Sequence, residues 1–322
     1  GVMSRFRSNS GTAAVLIPVV IGVAAKSGFT RSRLLMPLVF AAALGGNLSL
    51  IGAPGNLIAQ SALQNIGSGF GFFEYAKVGL PMLVCGILYF LTIGYKFLPN
   101  NSNSSEVGSI GEQRDYSHVP RWKQILSLVV LIATILGMIF EKQTGISLTV
   151  AGCIGALVLV ITGVLTEKQA YKAIDSQTIF IFGGTLALAK ALEMTGAGKL
   201  VADQVIGLLG NNSSPFMLLV VVFALSVVMT NFMSNTATVA LLVPVSLSIA
   251  AGMGADPRAV LMATVIGSSC AYATPIGMPA NMMVLSAGGY KFVDYAKSGI
   301  PLIIVSTIVS LILLPILFPF HP

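Results

Sequence analysis

The 322-residue chain is 55% hydrophobic and only 9% charged, with a net charge of +7 and a mean hydropathy of +0.88. These values exclude an ordinary soluble globular domain, in which about a quarter of the residues carry charge. Several apolar runs have the roughly 20 residues that a helix needs to cross a bilayer. We therefore expect an all-α, polytopic membrane protein in contact with the lipid bilayer. The longest runs are 80–98, 124–140, 146–165, 214–233 and 299–320.

A polar cluster opens the chain at residues 8–12, with the sequence SNSGT, and apolar residues follow it up to Pro18. A second cluster, SNTAT at residues 234–238, lies 226 residues later and is also followed by apolar residues up to a proline, Pro244. Ser, Asn and Thr cap helices because their side chains accept hydrogen bonds from the free N–H groups at a helix start. As a single occurrence, this motif is more typical of a surface turn. Within a long apolar run, it predicts a helix that begins at membrane depth and offers its N–H groups to an anion.

Two further landmarks repeat in the same order. The segment GAPGN at residues 52–56 matches GMPAN at 277–281, and FFEYAKVGLP from residue 72 matches FVDYAKSGIP from residue 292. Three landmarks at nearly constant separation indicate two copies of one structural unit. The prolines predict two broken helices, whose freed carbonyl groups suit a small hard cation such as sodium.

The two copies predict the domain organisation. We expect residues 1–98 to form the C-terminal part of a first repeat, 99–121 a polar cytoplasmic linker, and 122–322 a second repeat. Because residues 122–226 have no counterpart before Gly1, we also expect on the order of 100 further N-terminal residues in the natural protein.

The relative orientation of the repeats follows from counting membrane crossings. The first re-entrant hairpin is predicted to enter from the cytoplasm, to have its tip at the first Ser-Asn cluster and to return through 12–25. The second is predicted at 214–252, although this segment could also be two full spans joined by a polar turn. Five crossings between the hairpins place them on opposite sides of the membrane, which makes the repeats inverted. In this topology eleven Lys and Arg residues lie in cytoplasmic loops and four in outer loops, as the positive-inside rule requires. The expected crossings are 34–66, 78–98, 124–141, 146–165 and 178–209.

Other kinds of membrane protein fit the sequence less well. An intramembrane hydrolase needs a nucleophile with a base, paired aspartates or a His-Glu-x-x-His zinc motif, and the sequence contains none of these. The three cysteines lie singly in apolar runs, so we expect no transition-metal site, and we expect no nucleic-acid partner. Neither hairpin and neither break contains Asp, Glu or His, which favours sodium over protons as the coupling ion. An anion channel and a sodium-independent anion exchanger remain alternatives.

The paired Ser-Asn clusters, each followed by a Gly-x-Pro-x-Asn break, resemble the divalent anion/sodium symporter family over essentially the whole chain. The resemblance implies a sodium-coupled symporter, not an enzyme, for small divalent anions. C4-dicarboxylates such as succinate are expected first, with citrate or sulfate as alternatives. It also implies a homodimer that works by an elevator motion. We expect it to be a multi-pass protein of the bacterial inner membrane.

The motifs shared with the family also indicate which residues of this chain would form its binding sites. The residues implied for the first sodium site are Ser4, Ser8, Asn9 and Gly52, and those for the second are Thr230, Ser234, Asn235 and Gly277. The residues implied for the substrate are Asn9, Ser10, Ala53, Asn235, Thr236 and Pro279.

Three positions depart from the family pattern or from the second copy. Ser10 stands where the family usually has threonine, which keeps the hydroxyl and loses a methyl group. Arg5 and Arg7 stand where the second copy has Asn231 and Met233. A charged side chain at membrane depth usually faces a partner or a wet cavity, so an arginine could add to the anion site or could snorkel to the cytoplasmic opening.

Overall fold

The computed structural model describes residues 9–100, 120–174 and 214–320, together with scattered positions between 175 and 213. The regular elements in the continuous ranges are helices, which confirms the expected all-α class. In chain order they are α1 (Asn9–Ser27), α2 (Arg31–Gly45), α3 (Pro54–Gln64), α4 (Ala76–Thr92), α5 (Arg121–Ile139), α6 (Glu141–Thr144), α7 (Leu148–Ile161), α8 (Glu167–Ala173), α9 (Pro215–Thr230), α10 (Asn235–Gly252), α11 (Pro257–Ser268), α12 (Pro279–Ala287) and α13 (Phe292–Leu317). Short 3-10 turns follow α2 and α4, at Gly46–Leu48 and Gly94–Lys96.

The helices α5, α10 and α13 are each long and apolar enough to cross a membrane. The apolar residues of α4 and α13 that recur about every fourth position are exposed, although they would be buried in a water-soluble protein. Such a stripe is what a helix presents to lipid tails, in agreement with the expected polytopic membrane protein. The exposed residues are Leu80, Val84, Leu88 and Leu91 on α4, and Ile300, Ile304, Ile308, Ile312 and Ile316 on α13.

The chain divides into two compact units. One unit contains α5–α8 and comprises residues Gly111–Ile179. Within it α5 packs against α7, and Lys123 Nζ donates a 2.6 Å hydrogen bond to Gly163 O. At the start of α8, Thr166 and Gln169 form a reciprocal capping box, which satisfies two free N–H groups of the helix end.

The other unit contains α1–α4 and α9–α13, so it combines elements from both halves of the sequence. The halves are interleaved: α3 packs on α10, α1 packs on α12, and α4 packs on α13. Gly55 at the start of α3 lies so close to α10 that an added Cβ atom would be 2.8 Å from Val239 Cγ2. A glycine is needed there because a side chain would separate the two helices.

Both predicted helix breaks are present, and the same side-chain contacts hold them. Asn56 Nδ2 donates to Gly46 O at 3.2 Å and to Ser49 O at 2.8 Å, ten and seven residues earlier in the chain. In the second half Asn281 Nδ2 donates to the carbonyl oxygens at the same two offsets, those of Ala271 at 2.8 Å and Thr274 at 3.0 Å. Each asparagine is fully buried, so its amide replaces the hydrogen bonds that the broken helix loses.

A tyrosine supports each of these asparagines. Tyr75 Oη donates to Asn56 O at 3.3 Å, and Tyr295 Oη donates to Asn281 O at 2.6 Å. The two tyrosines occupy the same position in the repeated FFEYAK and FVDYAK segments. The repeated sequence therefore encodes a repeated set of contacts.

Candidate functional site

The second polar cluster forms the start of α10. The helix α9 ends at Thr230, a short turn follows, and Ser234 in an extended conformation precedes the first helical residue, Asn235. Ser234 Oγ accepts a 3.2 Å hydrogen bond from the N–H of Ala237. The helix cap predicted for this cluster is therefore confirmed.

The first polar cluster begins a helix at the equivalent residue. The helix α1 starts at Asn9, which corresponds to Asn235, and each helix contains a proline nine residues later. Ser4 and Ser8 lie outside the described residues, and the structure describes the backbone of Asn9 and Ser10 but not their side chains. Of the residues expected in the first sodium site, Gly52 is therefore the one whose surroundings the structure describes.

The break between α11 and α12 lies beside the start of α10. Residues 269–278 are non-helical, and α12 begins at Pro279 after an extended Met278. The break between α2 and α3 ends in the same way, because Ala53 is extended and Pro54 begins α3. Proline suits the first helical position because its ring fixes the helical φ and its missing N–H would have no intrahelical acceptor.

Four oxygen-bearing groups meet at the start of α10. One atom of the Asn235 side-chain amide lies 2.9 Å from Thr230 Oγ1, 3.1 Å from Gly277 O and 3.2 Å from Ser268 O. Thr230 Oγ1 also donates a short hydrogen bond to Ser268 O. The cluster joins the end of α9, the start of α10 and both sides of the break.

The amide of Asn235 can satisfy this cluster in two ways, because its oxygen and nitrogen ends have the same shape. With nitrogen towards the cluster, it donates to the oxygens of Thr230, Ser268 and Gly277. With oxygen towards the cluster, four oxygen atoms converge, an arrangement that repels itself unless a cation lies among them. Neutral oxygen ligands of this kind bind hard cations.

Gly277 is fixed in place by close packing. A Cβ atom there would lie 2.5 Å from Thr230 O and 2.9 Å from Ala271 Cβ. A Cβ atom at Gly52, its counterpart in the first half, would come closer than 3.0 Å to Gly46 O. Glycine is therefore required at both positions, which allows the backbone of each break to approach its neighbours closely.

The residues expected for the second sodium site lie close together in the structure. Thr230, Asn235 and Gly277 share one cluster, and Ser234 is adjacent to it with its hydroxyl engaged in the helix cap. Of the residues expected to contact the substrate, Thr236 is half-buried in the first turn of α10 and Pro279 is exposed at the end of the break. Ala53 is buried at the other break.

Sequence reasoning missed two contributors to this site. Ser268 supplies a backbone carbonyl, and carbonyl ligands leave no signal in the type of residue that carries them. Asn231 ties the turn to the break through both ends of its amide. The sequence could have indicated Asn231, because it is a polar residue directly after an apolar run.

Comparisons with known proteins identify related transporters. The family model for citrate transporters matches residues 1–267 and 135–321. An uncharacterized transporter of Methanocaldococcus jannaschii is 30% identical over 314 residues, which cover 95% of this chain and 69% of that protein. An uncharacterized transporter of Escherichia coli, YfbS, is 23% identical over 507 residues, covering 99% and 83% of the two chains.

One relative has a name that states its substrate and its coupling ion. The sodium-dependent dicarboxylate transporter SdcS of Staphylococcus aureus is 26% identical over 354 residues, which cover 99% of this chain and 67% of that protein. The resemblance drawn from the Ser-Asn clusters and the helix breaks is thus confirmed, as is the expectation that the protein is not an enzyme. The chain belongs to the citrate transporter family and is an integral membrane transporter.

Proposed function

We propose that the chain carries small divalent anions, C4-dicarboxylates such as succinate first, together with sodium ions. The observation that carries the proposal is the oxygen cluster of Thr230, Asn235, Ser268 and Gly277 at the start of α10. The similarity to SdcS, a sodium-dependent dicarboxylate transporter, supports both the substrate class and the coupling ion.

Sodium is the coupling ion that this chemistry favours. The cluster is built from a hydroxyl, an amide and two backbone carbonyls, and these groups do not titrate near neutral pH. A proton-coupled carrier commonly uses a titratable side chain in its pathway. We therefore assign the second sodium ion to this cluster, and we assign the first to Ser4, Ser8, Asn9 and Gly52.

The anion is expected at the N-terminus of α10, beside the cation. The first N–H groups of a helix have no acceptor within the helix, and Ser234 takes that of Ala237. Among the described residues the N–H groups of Asn235 and Thr236 have no acceptor, and we assign them to a substrate carboxylate, with the positive end of the helix dipole behind them. A bound sodium ion next to this position strengthens anion binding, because its charge acts at short range in a water-poor site.

The packing of the two halves supports one shared site. The start of α3 lies against α10 one turn beyond Asn235, as the contact of Gly55 with Val239 indicates. The second carboxylate of the substrate is assigned to Asn9 and Ser10 at the start of α1, with Ala53 and Pro279 forming the walls. We propose that residues 1–98 and 122–322 are inverted repeats joined by the linker 99–121.

The transport cycle is proposed to use an elevator motion within a homodimer of the bacterial inner membrane. The unit with α1–α4 and α9–α13 contains every described element of the proposed site. It can therefore carry the anion and its sodium ions without being rebuilt during the motion. The unit would move when it is fully loaded or fully empty, but not when it is partly loaded. This restriction would couple the flux of the anion to the flux of sodium.

Uptake of radiolabelled succinate into proteoliposomes that contain the full-length protein tests this function. We expect an inward sodium gradient to drive uptake and the variant Asn235→Ala to abolish the sodium dependence. The matched control is Asn65→Ala, which removes an exposed asparagine at the end of α3. Uptake that ignores sodium but accelerates with internal dicarboxylate would identify an exchanger. Flux without counterflow of labelled substrate would identify a channel. Competition of unlabelled citrate and sulfate with labelled succinate identifies the preferred substrate.

A further inference from the structure

Asn231 lies in the turn between α9 and α10, is 5% exposed, and engages every polar group of its side chain. Its Nδ2 donates to Val227 O at 2.7 Å and to Cys270 O at 3.3 Å, and its Oδ1 accepts from the N–H of Ala273 at 2.9 Å. One amide therefore clamps the end of α9 to the non-helical break.

The clamp continues through Thr274 to the oxygen cluster. Thr274 Oγ1 donates to the backbone carbonyl of Asn231 and accepts a 3.2 Å hydrogen bond from the N–H of Gly277. The carbonyl of Gly277 lies 3.1 Å from the Asn235 amide. Asn231 and Thr274 are absent from the close contacts of that amide, so they act on the cluster through the position of Gly277.

We propose that Asn231 is a positioning residue that, through Thr274, sets the sodium affinity of the second sodium site. The inference rests on the proposed sodium-coupled transport and deepens it. Groups that orient the ligands of a metal ion typically change its affinity 10–100-fold when they are replaced. Asn231 has this relation to the carbonyl of Gly277, because Thr274 connects the two residues by hydrogen bonds.

An amide is well suited to this position because it both donates and accepts. Alanine would leave the carbonyl of Cys270 and the N–H of Ala273 without their partner. The equivalent residue of the first half is Arg5, which lies outside the described residues, and a guanidinium has donors only. The first break therefore cannot be held by this set of hydrogen bonds, and the two sodium sites are expected to differ in affinity.

The test measures sodium affinity in the full-length protein with two changes on the same path. Asn231→Ala removes the clamp, while Thr274→Val removes the hydroxyl and keeps the shape of the side chain. Thr274→Ser keeps the hydroxyl and serves as the conservative rescue. Ser246→Ala is the matched control, because it removes a different buried hydrogen bond between α10 and α11, that of Ser246 Oγ with Thr264 Oγ1 at 2.9 Å.

We expect Asn231→Ala and Thr274→Val each to raise the sodium concentration for half-maximal uptake about 10–100-fold. The maximal rate at saturating sodium should stay close to that of the unchanged protein, because the substrate ligands are retained. Thr274→Ser and Ser246→Ala should leave the sodium requirement unchanged. The rise in melting temperature that sodium chloride produces, relative to choline chloride, should shrink in parallel and gives a readout that does not depend on transport.

Two results would overturn the inference. One is a sodium requirement in Asn231→Ala and Thr274→Val equal to that of Ser246→Ala. The other is a shift in Thr274→Ser as large as in Thr274→Val, since the hydroxyl would then be irrelevant. If Asn235→Ala abolishes sodium dependence while these variants do not shift it, the inference fails and the proposed function stands. If Asn235→Ala itself keeps full sodium dependence, both fail.

Discussion

Replacement of Asn281 by alanine should destabilise the protein strongly. Its Nδ2 donates to the carbonyl oxygens of Ala271 and Thr274, at 2.8 and 3.0 Å, in a fully buried environment. A buried polar group that loses its partner costs about 1–3 kcal/mol, so two such groups cost about 2–6 kcal/mol. A domain of 150–250 residues loses about 2–4 °C of melting temperature per kcal/mol. We therefore expect the midpoint to fall by about 4 °C or more.

The assay is thermal unfolding of the full-length protein in detergent, with the repeated contacts of the first half as an internal comparison. Asn56→Ala removes the same pair of hydrogen bonds from the other break, so its midpoint should fall by a similar amount. The exposed Asn65→Ala is the control and should change little. Unchanged midpoints for both Asn281→Ala and Asn56→Ala would refute the conclusion that these amides hold the broken helices together.

Two more predictions concern packing and charge in the same unit. A Cβ atom at Gly299 would come closer than 3.0 Å to the backbone carbonyl of Tyr272, so Gly299→Ala should cost about 1–3 kcal/mol in thermal unfolding. Gly22→Ala on α1 meets open space and should be neutral or slightly stabilising, and equal midpoints for the two variants would contradict this argument. The ion pair of Arg258 Nη2 with Glu74 Oε1 joins the two halves, and the two side chains are 31% and 14% exposed. Because both side chains are largely buried, a double-mutant cycle with Arg258→Gln and Glu74→Gln should give a coupling energy above the ~1 kcal/mol of exposed surface pairs, and a value near zero would show that the pair contributes nothing to stability.

Local signals in the sequence located part of the site. Ser234 precedes an apolar run and caps α10, and Pro54 and Pro279 each begin a helix after a break, as their chemistry predicts. These features depend on a few neighbouring residues, because capping and the fixed φ of proline act over one helical turn. They could therefore be predicted from sequence without knowledge of the packing.

The rest of the site depends on tertiary packing. The carbonyls of Ser268 and Gly277 come together because the break folds back against the turn after α9. The carbonyl of Ser268 could not be predicted, because any residue at that position would supply one. The role of Asn231 depends on segments about 40 residues further along the chain, which no local pattern connects to it. The partners of the Asn56 amide lie only seven and ten residues earlier, but they are backbone carbonyls, so the residue types do not reveal them.

The interleaving of the two halves has a consequence for biosynthesis. The helix α3 ends at Gln64 and packs on α10, which begins at Asn235, about 170 residues later. At a synthesis rate of about 5–20 residues per second, α10 is synthesised roughly 10–30 s after α3. During that time the first break is held by Asn56 and Tyr75 from its own half. The first half can thus keep its broken helix in shape until the second half has been synthesised and covers it.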